Sequence, residues 1–273
     1  LATFYAPAIA ADRAGCEHVF CVVTDTDINR VWAPIDGSRS RIQYLVPSQR
    51  ARRRLEAYGV QKERITFTGF PLPGALLGGP ELPVLKAHLT ARLARLDPRG
   101  SFRDMFRDEL AHFLGPSPES KPRPPRIAFA VGGTGTQAEL VRVFLPSLRE
   151  AIEKQELTLT LVAGIRDEVA ERFQEAIAES RLERAIGNGI DILLCRTHAD
   201  YFARFEAMLP EVDVLWSKPS ELTFYAALGI PFIFSWPVGI HERYNRRWAM
   251  EAGAGFKQQD PRFAGSRIKE WLA

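Results

Sequence analysis

The chain has 273 residues, 46% apolar and 25% charged, which excludes a disordered, collagen-like or disulfide-dense protein. A net charge of +3 is too small to point to nucleic acid. Apolar runs fall short of the roughly 18–20 residues that a membrane-spanning helix requires. Three cysteines, Cys16, Cys21 and Cys195, without a CxxC pair, read as reduced thiols of a cytoplasmic protein. The length suggests two modest domains. The first residues, Leu1 to Gly15, carry neither an initiator Met nor a basic start, so they read as a chain beginning in mid-domain rather than as a secretory signal.

In chain order, Val19 to Thr24 and Ile42 to Val46 are predicted strands. Ser48 to Tyr58 is a helix capped by Ser48 and stopped by Gly59. Ile65 to Thr68 is a third strand. Two helices follow, over 83–96 and 101–114, the second with Phe102, Met105, Phe106, Leu110 and Phe113 inward. The stretch from Gly115 to Pro125 has five prolines in eleven residues and reads as an extended linker. It divides a partial first domain (1–115), through a linker (116–125), from a second domain (126–273).

The second half alternates short apolar runs with amphipathic helices. Strands are predicted at Ile127 to Val131, Leu157 to Val162, Ile190 to Cys195, Val212 to Trp216 and Pro231 to Ser235. Helices are expected from about Gln137, around Val169, Phe173 and Ile177, and near 199–208, 220–228 and 241–252. Strands separated by helices imply βαβ units and a parallel sheet covered on both faces.

Chemistry-bearing residues fall where strands turn into helices. Gly132, Gly133, Thr134, Gly135 and Thr136 follow the first strand of this half. Glycines there let backbone N–H groups approach a phosphate, and hydroxyls with the amide of Gln137 suit diphosphate oxygens. The spacing fits neither a P-loop nor a dinucleotide fingerprint. Without a ligand, the same residues make a tight strand-to-helix turn. Lys218, Pro219, Ser220 and Glu221 follow another strand, with Ser220 a candidate N-cap. His241, Glu242 and Asn245 open a further helix. In an open α/β sheet such loops gather at the carboxyl edge, where ligands bind.

The order of a Gly-Gly-Thr loop, the Lys218–Glu221 helix start, Ala227-Leu228-Gly229-Ile230-Pro231 and His241-Glu242 with Asn245 resembles the nucleotide-sugar half of GT-B glycosyltransferases. It is most similar to the branch of monogalactosyldiacylglycerol synthases and the peptidoglycan N-acetylglucosaminyl transferase. Val23-Thr24-Asp25 through Trp32, Tyr44 to Ser48, and Ile65 to Pro71 follow that branch in the first half, so the likeness spans nearly the whole chain. It implies two Rossmann-like domains facing a cleft, the first incomplete at its start. It also implies transfer of a sugar from a uridine-linked diphospho-sugar, inverting and without metal or other cofactor. The loop Gly133 to Gln137 would meet the diphosphate and Ala163-Gly164 the base. Lys218 to Glu221 would lie near phosphate and ribose, and His241, Glu242 and Asn245 near the sugar. Asp25 would face the cleft as a candidate catalytic group.

The glycine-rich first loop of the acceptor half, which often carries the family's catalytic base, is not in this sequence, and two positions depart from the family. Phe224 stands where an acidic residue grips the ribose, with Glu221 one turn earlier as a substitute. Asn29 stands where a His is usual, and it cannot take a proton. These departures leave open a non-catalytic nucleotide-sugar binder, and the same two-domain fold also serves nucleotide-sugar epimerases. Residues 1–125 carry 18 Lys/Arg against 13 Asp/Glu, with Arg50, Arg52, Arg53 and Arg54 clustered on one helix. That cluster reads either as a solvated face or as a peripheral dock for an anionic membrane surface.

Overall fold

Strands form wherever short apolar runs are bounded by polar or glycine turns. The computed structural model describes residues 1–115, 123–131, 135 and 137–272, without the side chain of Glu221. Helices are α1 (Tyr5–Arg13), α2 (Gln49–Ala57), α3 (Gly74–Leu77), α4 (Pro83–Leu96), α5 (Ser101–Met105), α6 (Arg107–Leu114), α7 (Leu140–Glu153), α8 (Asp167–Glu179), α9 (His198–Met208), α10 (Ile240–Glu251) and α11 (Ala264–Trp271). Strands are β1 (Phe20–Val22), β2 (Gln43–Val46), β3 (Ile65–Phe67), β4 (Arg126–Ala130), β5 (Thr158–Gly164), β6 (Ile190–Leu194), β7 (Val214–Ser217), β8 (Phe232–Phe234) and β9 (Gly255–Lys257). The expected strands all form. The short elements α1, α3, α11 and β9 had no sequence signal, and Glu221–Leu228 is a 3-10 helix rather than an α-helix.

Two packing units result. One gathers Leu1–Leu72, Pro219–Ala227 and Trp236–Gly255, the other Pro73–Lys218, Leu228–Ser235 and Phe256–Ala273. They do not follow the division expected at 116–125, a segment whose residues 116–122 lie outside the described ones. Residues 73–115 pack with the second unit because α4 drives two arginines into it. Buried Arg92 donates to the carbonyls of Val212 (2.9 Å) and Leu228 (3.1 Å), and Arg95 bonds Asp213 (2.7 Å). Burial lowers the Arg92 guanidinium to about 10, while the Asp213 carboxylate acts in the opposite direction.

The first unit holds a parallel sheet of order β1-β2-β3. Its core is Cys21, Val23, Ile42, Tyr44, Val46, Ala51 and Leu55 with Trp32, whose carbonyl takes the Tyr44 hydroxyl at 2.8 Å. Burial pushes the Cys21 thiol up to about 12, so it is an inert packing group. Ser48 caps α2 as expected, accepting from the Ala51 N–H at 3.0 Å.

The second unit holds a six-stranded sheet of order β6-β5-β4-β7-β8-β9, in which β4 through β8 pair in parallel. The apolar stripes of α7 (Val141, Phe144, Leu145, Leu148, Ile152) and α8 (Val169, Ala170, Phe173, Ala176, Ile177) are buried in its core. Phe144 stacks on Trp216 at 4.3 Å. The inward face expected for 101–114 is a correction. Helix geometry breaks at Phe106, and Phe102, Met105, Phe106 and Phe113 are exposed. Apolar spacing marks a face but supplies nothing to cover it.

Helix α7 ends in a Schellman arrangement: Gln155 N–H bonds the Ile152 carbonyl and Glu156 N–H the Ala151 carbonyl. Gln155 occupies the left-handed region at φ 56°, which glycine adopts without a Cβ penalty. Gln155→Gly is therefore expected to raise the stability by about 0.5–1 kcal/mol, read as a higher urea midpoint at unchanged slope.

Candidate functional site

Parallel pairing places the carboxyl ends of β4, β5, β7 and β8 on one edge of the six-stranded sheet. Small side chains collect there. Ser217 and Ser235 are buried, the Ser217 hydroxyl donating to the Ala130 carbonyl at 2.9 Å and the Ser235 hydroxyl to Gln137 Oε1. Gly164 has φ 72° and open space where a Cβ would point, next to buried Ala163. Gly135 has φ 64°, a left-handed conformation that favours glycine, and a Cβ there would make the Arg166 guanidinium, 2.8 Å away, shift. Lys218 is half-buried at the end of β7. Gly133, Thr134 and Thr136 lie outside the described residues, as does the Glu221 side chain. The edge thus combines glycine backbone, an amide and a cation, a set suited to an anionic ligand, while the two hydroxyls spend their protons inside the protein.

In the first unit, a polar hub forms around Asn245. Helix α10 turns Glu242, Asn245 and Ala249 inward, so its buried face is partly polar. Asn245 Oδ1 accepts from the Thr26 N–H (2.9 Å), the Thr26 hydroxyl (2.9 Å) and the Asp27 N–H (3.3 Å). Its Nδ2 donates to Asp25 Oδ1 (2.8 Å) and to the Pro219 carbonyl (3.2 Å). Donors on one side and acceptors on the other fix the amide orientation. Three expected residues, Asp25, Pro219 and Asn245, thus come together, but the Asn245 amide spends its bonds inside the protein.

Glu242 is buried and accepts from the Val238 N–H at 2.6 Å, serving the start of α10, while His241 is exposed. Ser220 does not cap a helix as expected. Its buried hydroxyl has no partner among the described residues, while Thr223 folds back on the Ser220 carbonyl. Asn29 also leaves its side-chain oxygen buried and, among the described residues, unpartnered.

The arginine cluster is largely engaged. Arg54 bonds the buried Asp27 carboxylate through Nε (2.5 Å) and its terminal nitrogen (3.0 Å) and lies 4.8 Å over the Tyr244 ring. The Asp27 hydrogen bond raises the Arg54 pKa above its ordinary value. Arg50 bonds Glu251, and Arg52 bonds Glu56 at 3.1 Å. Only Arg53 of the four is exposed without an ion pair among the described residues. Ser217 opens the polar segment that runs to Leu222 in the sequence, whereas Thr26, Asp27 and Ser235 carry no such signal. Their pairings join residues 27 to 219 positions apart, beyond any local pattern. Among the described residues, no group of three or more His, Cys, Asp or Glu is placed to hold a metal. No described helix is long and apolar enough to cross a membrane.

No protein-family model and no curated protein sequence matches the chain. Solved structures do. A UDP-GlcNAc 2-epimerase from Neisseria meningitidis bound to UDP-GlcNAc aligns over 98% of this chain and 66% of its own, at 12% identity and a TM-score of 0.55. The S. aureus MnaA–UDP complex aligns over 98% and 65%, at 12% identity and a TM-score of 0.50. A glycosyltransferase from Rickettsia africae aligns over 93% and 60%, at 12% identity and a TM-score of 0.43. The chain therefore spans just under two thirds of the length of the first two. At such identity the likeness gives the fold: α/β, with two Rossmann-like parts of the GT-B type.

Proposed function

We propose that the chain binds a uridine-linked diphospho-sugar at the carboxyl edge of its six-stranded sheet and transfers the sugar to an acceptor, with inversion and without metal. The observation that carries this reading is the gathering of Gly135, Gln137, Gly164, Ser217, Lys218 and Ser235 at one edge of parallel strands. Amides of the Gly133–Gln137 loop would stabilise the leaving diphosphate, Ala163-Gly164 would border the base, and Lys218 with Glu221 would reach phosphate and ribose. Asp25, oriented by Asn245, is the carboxylate proposed to accept the acceptor's proton. The order of motifs supports the narrower likeness to the monogalactosyldiacylglycerol synthase and peptidoglycan transferase branch.

Calorimetric titration with UDP and GDP tests the binding, and silence from both at millimolar concentration removes it. Lys218→Ala is expected to weaken UDP binding about tenfold in the folded protein, the loss of one charged hydrogen bond. Unchanged affinity would take Lys218 out of the site.

Epimerisation is the second reading, favoured by the fold shared with an epimerase bound to UDP-GlcNAc. It needs no acceptor. Incubation with UDP-GlcNAc alone separates the two, since an epimerase yields a new sugar and a transferase leaves the substrate intact. A peripheral contact with anionic lipid rests on Arg53 beside the ion-paired Arg50 and Arg52. It requires co-sedimentation with anionic vesicles that is lost at high salt.

A further inference from the structure

At the opposite, amino edge of the same sheet, the second unit contains a cavity of about 270 Å³. It lies beneath the starts of β4, β7 and β8, with Leu96 of α4 on one side and Phe256 and Trp271 on another. The two aromatic rings stack at 4.9 Å, and Phe256 is half exposed, so the cavity opens to solvent beside them. Among the described residues, the lining consists of Leu, Ile, Val, Pro, Phe and Trp.

Two backbone positions at its floor offer no hydrogen bond either. Pro125 and Pro231 precede β4 and β8 and have no N–H to offer. Their carbonyls are already occupied, by the Thr158 N–H at 2.9 Å and the Leu215 N–H at 3.0 Å. A peptide segment, a sugar or a nucleotide seated here would bury polar groups without partners. A hydrocarbon loses nothing by entering. Apolar cavities of roughly 150 Å³ already take up benzene, so this volume accommodates a chain of several carbons.

We infer that this cavity is a binding site for a single unbranched hydrocarbon chain, the tail of an amphiphile whose polar head stays in solvent by Phe256 and Trp271. The site is separate from the proposed nucleotide edge and stands or falls independently of it. No covalent step is involved. Binding to the folded state alone would stabilise the protein by mass action.

The test uses methyl-labelled full-length chain titrated with 1-octanol, and with 1,8-octanediol as a chain of equal length that must bury a second hydroxyl. The expected result is saturable shifts of the Val214, Ile233 and Ile268 methyl resonances with octanol and at least tenfold weaker ones with the diol. Leu96→Trp, which fills the cavity from α4, should abolish the octanol shifts. If that variant fails to fold, Leu272→Phe takes its place. Absence of saturable shifts at those methyls in the unmodified chain, equal response to the diol, or undiminished binding in a folded cavity-filled variant would each overturn the inference.

Discussion

Replacing Asn245 by alanine is expected to destabilise the protein by about 3–5 kcal/mol and to remove the proposed activity together with it. The side chain is fully buried and makes five hydrogen bonds. Its loss strands the Thr26 and Asp27 N–H groups and leaves the Asp25 carboxylate without its amide donor. Each abandoned buried group costs on the order of 1–3 kcal/mol, and partial relaxation keeps the total below the sum. Asn245→Asp separates the two sides of the hub. It keeps acceptors for Thr26 and Asp27 but sets a second carboxylate against Asp25, so it should fold poorly at neutral pH. Urea unfolding measures the effect. A loss under about 1 kcal/mol in Asn245→Ala would show that the β1 loop finds other partners.

Asp213→Ala is expected to cost a similar amount, about 3–5 kcal/mol, through a different mechanism. Asp213 is fully buried and receives Arg95 Nε (2.7 Å), Arg123 (2.8 Å) and the Arg126 N–H (2.8 Å). Its removal leaves Arg95 with a largely buried, uncompensated charge and takes from Arg92 the carboxylate that favours its charged form. Asp213→Asn preserves volume and some hydrogen bonding, so a loss nearly as large there would assign most of the effect to charge. Since Asp213 lies at the start of β7, away from the carboxyl edge, UDP affinity of whatever folded fraction remains should be unchanged.

The second sheet was legible because fully buried parallel strands are written as apolar runs, as in Ile127–Val131 and Leu157–Val162. The carboxyl-edge loops were legible for the same reason, being the polar residues that follow those runs. Helix α10 was located by its pattern, but its inward face was not, because Glu242 and Asn245 stand where periodicity expects apolar residues. Helix α1 escaped notice because its small residues bury only Ala8. For 101–114 the apolar spacing shows neither the break at Phe106 nor the lack of a cover: Met105, three-quarters exposed, faces solvent. The ion pair of Arg54 with Asp27 turns part of an expected surface cluster into internal scaffolding, a distinction that depends on tertiary proximity alone.

The Asn245 hub also sets a clock. Its bond to Thr26 joins residues 219 positions apart, so the loop after β1 leaves the ribosome long before its partner exists. At typical elongation rates the gap is roughly 10–40 s. Throughout that interval the β1–β2–β3 segment lacks α10, and the amides of Thr26 and Asp27 have only water to bond. Nascent chains halted short of Asn245 should therefore show this sheet open to protease, and chains halted well past it should not.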